Sequence, residues 1–310
     1  MGISMQDHQL EALPAGTVLN ERYVIGKVIG SGGFGITYLA FDTECMRKVA
    51  IKEYFPVGLA VRIPDRITIE PIASRYSREF ENSRERFFNE AQILSNLDVC
   101  TDVIRMYSVF AENGTVYYAM EYVEGLTISE YAGRYGKINE SQAIFAALEI
   151  SAAFTYIHER GIIHRDLSPD NVMITSDGGV RIVDFGNARP FVIDGENSLT
   201  VVLKPGYAPI EQYQHYGRQG PWTDIYSLGA VLYYALTLET PSDPMTRMED
   251  DRAFQTGLSC MDRRVAAILN KMTAIKAEER YPDGAKLYAE LKTVRISAEK
   301  FGCKLHKTGS

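Results

Sequence analysis

The sequence predicts an α+β chain in two parts: a small β-rich lobe over residues 20–122 and a larger, mainly helical lobe over residues 123–298. Three observations carry this. Short β-forming runs crowd the first part around one long helical pattern. Helical periodicity dominates after residue 139. Between the two, Tyr122 to Gly125 reads as a hinge. Residues 1–19 form an N-terminal extension and 299–310 a C-terminal tail. A chain of 310 residues is long enough for one large or two modest domains with a real core.

Each element has its own signal. Tyr23-Val24-Ile25, Ile36-Thr37-Tyr38-Leu39-Ala40 and Lys48-Val49-Ala50-Ile51-Lys52 are three strands, the first two separated by a glycine cluster. Residues 54–77 contain three prolines and no sustained period, so they read as an insertion loop. From Arg78 to Leu97, Phe80, Phe87, Ala91 and Leu94 recur at helical spacing. Strands at Ile104–Phe110 and Val116–Glu121 flank Glu112-Asn113-Gly114, a hairpin turn signal. Asn139-Glu140-Ser141-Gln142 has the form of a capping box and opens a helix through Ile144, Leu148, Phe154 and Ile157. Short strands at Val172–Ile174 and Val180–Val183 flank a turn at Asp177-Gly178-Gly179. The segment from Asn187 to Lys204 has no periodicity and reads as mobile. Helices occupy much of 222–300, and Ile225 to Leu238 reads as a buried one.

Composition narrows the function classes. The chain is 45% hydrophobic and 24% charged, with a net charge of −7, which argues against nucleic acid as its main ligand. Cys45, Cys100, Cys260 and Cys303 have no metal-binding spacing and read as reduced thiols of a cytoplasmic protein. No run reaches the roughly 18 to 20 apolar residues of a membrane span.

The chemistry is concentrated in a few motifs. Gly30-Ser31-Gly32-Gly33-Phe34-Gly35 is followed by β-formers rather than by a helix. That context favours a strand-turn-strand flap whose bare backbone can approach phosphates over a dinucleotide-binding turn; from this segment alone an ordinary glycine-rich hairpin stays equally open. Lys52 ends the third strand, where an ammonium can neutralise the α and β phosphates of ATP. It needs a carboxylate to hold it, and Glu90 is the candidate because it precedes the apolar run Ala91-Gln92-Ile93-Leu94. His164-Arg165-Asp166-Leu167-Ser168-Pro169-Asp170-Asn171 places an Asp and an Asn five residues apart. Asp166 can accept the proton of an attacking hydroxyl, and Asn171 can offer an amide oxygen to magnesium. Asp184-Phe185-Gly186 follows a short apolar strand, 18 residues after Asp166, and supplies a second oxygen ligand for the metal.

The ordered series of flap, Lys52, Glu90, Asp166, Asn171 and Asp184 resembles the eukaryotic-like serine/threonine protein kinases of bacteria. Gly35-Ile36-Thr37-Tyr38 and Gly206-Tyr207-Ala208-Pro209-Ile210-Glu211-Gln212-Tyr213 look especially like bacterial members, and the similarity covers about residues 20–295. The resemblance implies a bilobal protein-kinase-like fold with an activation segment over 184–211. It implies an ATP- and magnesium-dependent (or manganese-dependent) transferase acting on Ser/Thr hydroxyls of proteins, itself included. It further implies that Ala50, Met120, Glu121 and Val123 border the adenine, with Met120 as gatekeeper. Leu94, Met106, His164 and Phe185 would stack as a spine. Glu211 would pair with Arg280, and Asp224 would hold the backbone of the catalytic loop. Arg165 would receive a phosphate placed on the mobile segment, where Ser198 and Thr200 are the available hydroxyls.

Two positions depart from the family pattern. The family's Ser/Thr branch carries Lys two residues after the catalytic Asp and Thr seven residues before the Glu at position 211. This chain has Ser168 and Lys204 there, so the two side-chain types appear exchanged. Lys204 is then expected to reach Asp166 and the γ-phosphate, supplying the charge that Ser168 cannot. A bland alternative keeps Ser168 as tolerated and Lys204 as an exposed loop residue. Three functions stay open: an active protein kinase, with Tyr or dual specificity not excluded by the exchange; a pseudokinase scaffold; and a small-molecule phosphotransferase. Glu211, Asp224 and Arg280 favour a protein substrate.

Overall fold

A computed structural model of the chain describes residues 11–95, 103–184, 189–190, 203–214, 217–294 and 299–301, except for the side chains of 90, 93, 94, 189 and 190. Two compact units divide it. One takes Met1–Val99 and Arg105–Tyr122, the other Cys100–Ile104 and Val123–Ser310.

The first unit is built on a six-stranded antiparallel sheet whose strands lie side by side in the order 18–19, 23–32, 35–42, 47–54, 115–121 and 106–112. Its strands are β1 (Val18–Leu19), β2 (Tyr23–Gly32), β3 (Gly35–Asp42), β4 (Arg47–Tyr54), β7 (Met106–Glu112) and β8 (Thr115–Glu121). All five strands expected in this region are present, and most run longer than their β-forming cores. The helix α1 (Ser77–Ser95) follows β4 and the insertion. Phe80 and Phe87 are seven residues apart, on one face of α1. They pack against Tyr54, with ring centroids 5.6 and 5.3 Å away, and Phe87 also stacks on Tyr118 at 5.1 Å. Burial of these large rings, worth about 1.5–3 kcal/mol apiece, fixes the helix against the sheet.

The insertion is more ordered than its sequence suggested. It contains a hairpin of β5 (Ala60–Arg62) and β6 (Ile69–Pro71), paired Ala60↔Pro71 to Arg62↔Ile69. Asp65 closes the turn by accepting from the backbone N–H groups of Ile67 and Thr68, both at 2.8 Å. Strands of three residues are too short for an alternating pattern to stand out, which is why periodicity missed them.

The second unit is mainly helical. Its helices are α2 (Ile128–Tyr135), α3 (Glu140–Glu159), α4 (Ile210–Tyr213), α5 (Pro221–Thr237), α6 (Pro244–Glu249), α7 (Arg252–Ser259), α8 (Arg263–Met272) and α9 (Gly284–Leu291). The predicted capping box is present. Asn139 accepts from Gln142 N–H at 2.8 Å and Gln142 accepts from Asn139 N–H at 3.0 Å. Helix α5 is buried continuously from Thr223 to Tyr233, as an all-round apolar helix requires. Short strands complete the unit. β9 (Gly125–Thr127), β11 (Val172–Thr175) and β12 (Val180–Ile182) form one sheet, and β10 (Ile162–Ile163) pairs with β13 (Arg189–Pro190). Most of the segment from Asn187 to Lys204, with Ser198 and Thr200, lies outside the described residues, as do Phe185 and Gly186 of the Asp184 motif.

Candidate active site

In the first unit the glycine motif is a strand-turn-strand flap. β2 ends at Gly32 and β3 begins at Gly35, with those two residues paired and only Gly33 and Phe34 between them. A Cβ at Gly35 would meet the carbonyl oxygen of Glu53 at 2.3 Å, so packing explains that glycine. No such reason applies at Gly32 or Gly33, where a Cβ would meet nothing within 4 Å. Their bareness instead leaves the backbone open to a ligand. Phe34 is 38% exposed at the turn. Lys52 lies on β4, paired with Thr37 of β3 and Tyr118 of β8. Its ammonium sits 6.0 Å from the Tyr118 ring centre. Ala50 and Met120 are paired partners across β4 and β8 and both are buried, with Glu121 the last residue of β8. Glu90 lies on α1, but its side chain and that of Leu94 are outside the described set.

In the second unit the catalytic loop is held from below by Asp224, fully buried in the first turn of α5. One carboxylate oxygen accepts the backbone N–H of Arg165 at 2.8 Å. The other accepts that of His164 at 2.8 Å and faces His158 Nε2 at 2.9 Å. His158 Nδ1 accepts from Gly284 N–H at 3.3 Å, so Nε2 carries the proton and donates to Asp224. This carboxylate stabilises a strained backbone, since Arg165 has a φ of 70°, in the left-handed region that non-glycine residues avoid. Burial pushes the His164 imidazole below its ordinary pKa, against the pull of the nearby Asp224, Asp166 and Asp184. A neutral ring can accept, and Nδ1 faces the Asp166 N–H at 3.3 Å.

Asn171 locks the loop from within. Its amide nitrogen donates to the Asp166 carbonyl at 2.5 Å and its amide oxygen accepts from Ser168 N–H at 2.7 Å. The Val183 N–H donates to the Asn171 carbonyl at 2.9 Å, which brings Asp184, the next residue, beside the loop.

Lys204 and Ser168 meet directly. Lys204 Nζ donates to Ser168 Oγ at 2.8 Å and lies 3.7 Å from Asp166 Oδ1. Ser168 is only 1% exposed, so its hydroxyl serves as an acceptor that aims Lys204. The Lys204 backbone is fixed in turn, because its carbonyl accepts from both Tyr207 and Ala208 N–H at 3.1 Å. Gly206 permits this turn with a φ of 85°, and a Cβ there would collide with the Pro241 carbonyl at 2.3 Å. Arg165, Asp166, Leu167, Lys204, Tyr207 and Ser227 line a small cleft at this point.

Glu211 and Arg280 form a buried fork, with Nη1–Oε1 at 2.7 Å and Nη2–Oε2 at 3.1 Å. The guanidinium also donates to the carbonyls of Ala274 and Ile275 at 2.7 and 2.8 Å. Arg165 Nε donates to Gln219 at 2.7 Å, and Gln212 donates to the Arg165 carbonyl at 2.8 Å. His158, Gln212 and Gln219 were missed in the sequence. Nothing in their spacing marks them, since each acts by reaching a residue more than 45 positions away.

The donor set suits a hard divalent cation. Asn171 Oδ1 has one lone pair beyond its Ser168 bond and Asp184 offers a carboxylate, both oxygen ligands. Among the described residues no three acids, histidines or cysteines cluster as a self-sufficient metal site. Asn171 and Asp184 would hold such a cation, which when bound would neutralise charge on phosphate oxygens.

Residues 23–289 match the protein kinase domain family, and the chain belongs to it. Curated relatives include a probable serine/threonine-protein kinase of Clostridium acetobutylicum, 31% identical over 90% of this chain and 41% of its own length. Serine/threonine-protein kinase PknA of Nostoc sp. is 29% identical over 90% of this chain and 48% of its own. PrkC of Bacillus subtilis is 28% identical over 92% of this chain and 43% of its own. The chain thus spans about half or less of the length of these relatives. Among solved structures, the apo form of PpkA-294 superposes with a TM-score of 0.76 at 31% identity, covering 91% of this chain and 99% of that one. The α+β kinase fold, with a β-rich lobe and a helical lobe, is therefore the fold of this protein.

Proposed function

We propose that this chain transfers the γ-phosphate of ATP to Ser or Thr hydroxyls of protein substrates, including its own, with magnesium as the metal. The observation that carries the reading is the loop held by Asp224 and Asn171, which presents Asp166 with Lys204 3.7 Å away. Asp166 takes the proton of the attacking hydroxyl as the new O–P bond forms and the bond to the leaving ADP breaks. Asn171 and Asp184 would hold magnesium, which when bound neutralises charge on the phosphates. Lys204 stabilises charge on the transferred group from the activation segment, and Ser168 orients it. Lys52 would neutralise the α and β phosphates with Glu90 as its partner. The flap residues Gly30 to Gly35 would cover the nucleotide, and Ala50, Met120, Glu121 and Val123 would border the base.

Glu211 and Arg280 tie the proposed substrate platform to the segment before α9, which favours a polypeptide substrate. Arg165 remains the proposed partner of a phosphate at Ser198 or Thr200, a charge-assisted pair that would outcompete its neutral bond to Gln219. We place the chain in the cytoplasm on the free, exposed thiols of Cys45 and Cys260; among the described residues, no helix is long and apolar enough to cross a membrane.

The test is incubation with labelled ATP and magnesium, comparing wild type with Asp166→Asn. Label in the wild-type protein or a generic protein substrate, lost in the variant, is the expected result. No label with wild type would turn the reading toward a nucleotide-binding scaffold.

A further inference from the structure

The insertion between β4 and α1 is fastened within the first unit to the glycine flap. Phe55 N–H donates to the Phe34 carbonyl at 3.1 Å and Val57 N–H to the Gly33 carbonyl at 3.0 Å. Gly33 and Phe34 are the two turn residues of the flap, so the start of the insertion holds the carbonyls at its tip. The rest of the insertion is anchored elsewhere in the same unit. Ile69 N–H donates to the Asn113 carbonyl at 2.9 Å, at the β7–β8 turn, and Thr115 Oγ1 donates to the Tyr54 carbonyl at 2.6 Å.

One buried ion pair joins these fastenings. Glu53 follows Lys52 on β4 and so points to the opposite face of the sheet. It is fully buried and accepts from Tyr38 at 2.7 Å, Tyr117 at 2.9 Å and Arg62 Nη2 at 2.6 Å. Arg62 stands on β5 of the insertion hairpin. Its two other donors reach the carbonyls of Ile67 at 2.7 Å and Glu11 at 2.6 Å. The Tyr38 hydroxyl in turn accepts from Leu13 N–H at 3.1 Å. The guanidinium thus clamps the central strand, the insertion hairpin and the segment preceding β1 with one planar fork.

A glycine-rich turn has more conformational freedom to lose than any other, and Gly32 and Gly33 have no side chains with which to anchor it. Its position depends on what holds its carbonyls. We propose that residues 55–72 act as a splint for the flap, and that Glu53 and Arg62 are positioning residues which set how tightly ATP phosphates are bound. The proposal rests on the flap covering phosphates, but its first readout does not require activity.

The experiment compares wild type with Arg62→Met by hydrogen–deuterium exchange over residues 30–37 and by steady-state kinetics in ATP. Leu19→Ala, a core truncation on β1 beside Tyr23 and so at the end of β2 away from the flap, serves as a control for general destabilisation. Expected are flap exchange about ten-fold faster and a KM for ATP about five-fold higher, with kcat within about two-fold, in Arg62→Met alone. If Arg62→Met does not fold, Arg62→Lys replaces it, keeping one bond to Glu53 but losing the fork, with smaller shifts in the same direction. Unchanged flap exchange, or equal exchange and KM changes in Leu19→Ala, would overturn the splint. Loss of transfer by wild type would sink the kinase reading instead and leave the exchange comparison intact.

Discussion

Replacing Lys204 by Ala should cost the enzyme turnover rather than nucleotide affinity. At 3.7 Å a unit charge pair interacts by about 4 kcal/mol at an effective dielectric of about 20. Lys204 and Asp166 are 37% and 24% exposed, so solvent screens a good part of this. Halving the figure for that exposure leaves about 2–3 kcal/mol for charge developing at similar range on the transferred phosphoryl group, or roughly a hundred-fold in kcat. The KM for ATP should move by less than about three-fold, because the interaction strengthens in the transition state. Ser168→Ala removes only the hydroxyl that aims the amine, so a loss of about three- to ten-fold is expected, the worth of one hydrogen bond. The exchanged double variant Ser168→Lys/Lys204→Thr should regain about ten-fold or more over Lys204→Thr alone. The assay is initial-rate phosphorylation of a generic protein substrate at saturating ATP. If Lys204→Ala keeps kcat within three-fold of wild type, or the exchanged variant is no better than Lys204→Thr, the reasoning is wrong.

Three further outcomes follow from buried charges. Arg280→Ala strands Glu211 in a buried pocket and should destabilise the second unit by about 3–5 kcal/mol in chemical denaturation, whereas Glu211→Leu/Arg280→Met should recover most of the loss. Asp224→Asn keeps the side-chain shape but cannot accept on both arms from His164, Arg165 and His158, so kcat should fall at least ten-fold while far-UV circular dichroism stays unchanged. Asp42 is held well below the usual carboxylate range, chiefly by its paired hydrogen bonds from Arg22. A depressed folded pKa stabilises above the unfolded value near 3.8 and is lost as pH falls through the folded one. The stability advantage of wild type over Asp42→Asn should therefore be full at pH 6 and shrink progressively below about pH 4 in thermal melts.

What was legible in the sequence is what local physics writes in neighbouring residues. The capping box of α3 uses Asn139 and Gln142, three apart, and the apolar face of α1 uses Phe80 and Phe87, seven apart. The flap is a turn within six residues. The insertion hairpin escaped because its strands are three residues long and its order comes from distant partners. Arg62 makes sense only once Glu53 and Glu11 are beside it. The same division holds in the catalytic loop. Asp166 and Asn171 could be paired on their spacing and its resemblance to the kinase loop, but the grip on the loop runs through His158 and Asp224, 66 residues apart.

The exchange of Ser168 and Lys204 shows how the two kinds of information combine. Each residue alone looks like a tolerated departure, and only knowledge of which positions fall together in the fold makes them one feature. The structure changes the meaning of the serine. Because it is 1% exposed, it cannot itself meet a substrate; it holds the amine of a residue 36 positions later. The consequence concerns control. A lysine on the catalytic loop is present whenever the loop is folded. Here the cation is carried by the chain that also forms the turn 204–208, whose Tyr207 carbonyl accepts from Ser227 Oγ. On the proposed function, whatever displaces that turn would carry away the cation beside Asp166 and disturb the segment leading into Glu211 together, so catalysis and substrate docking would be set by one element.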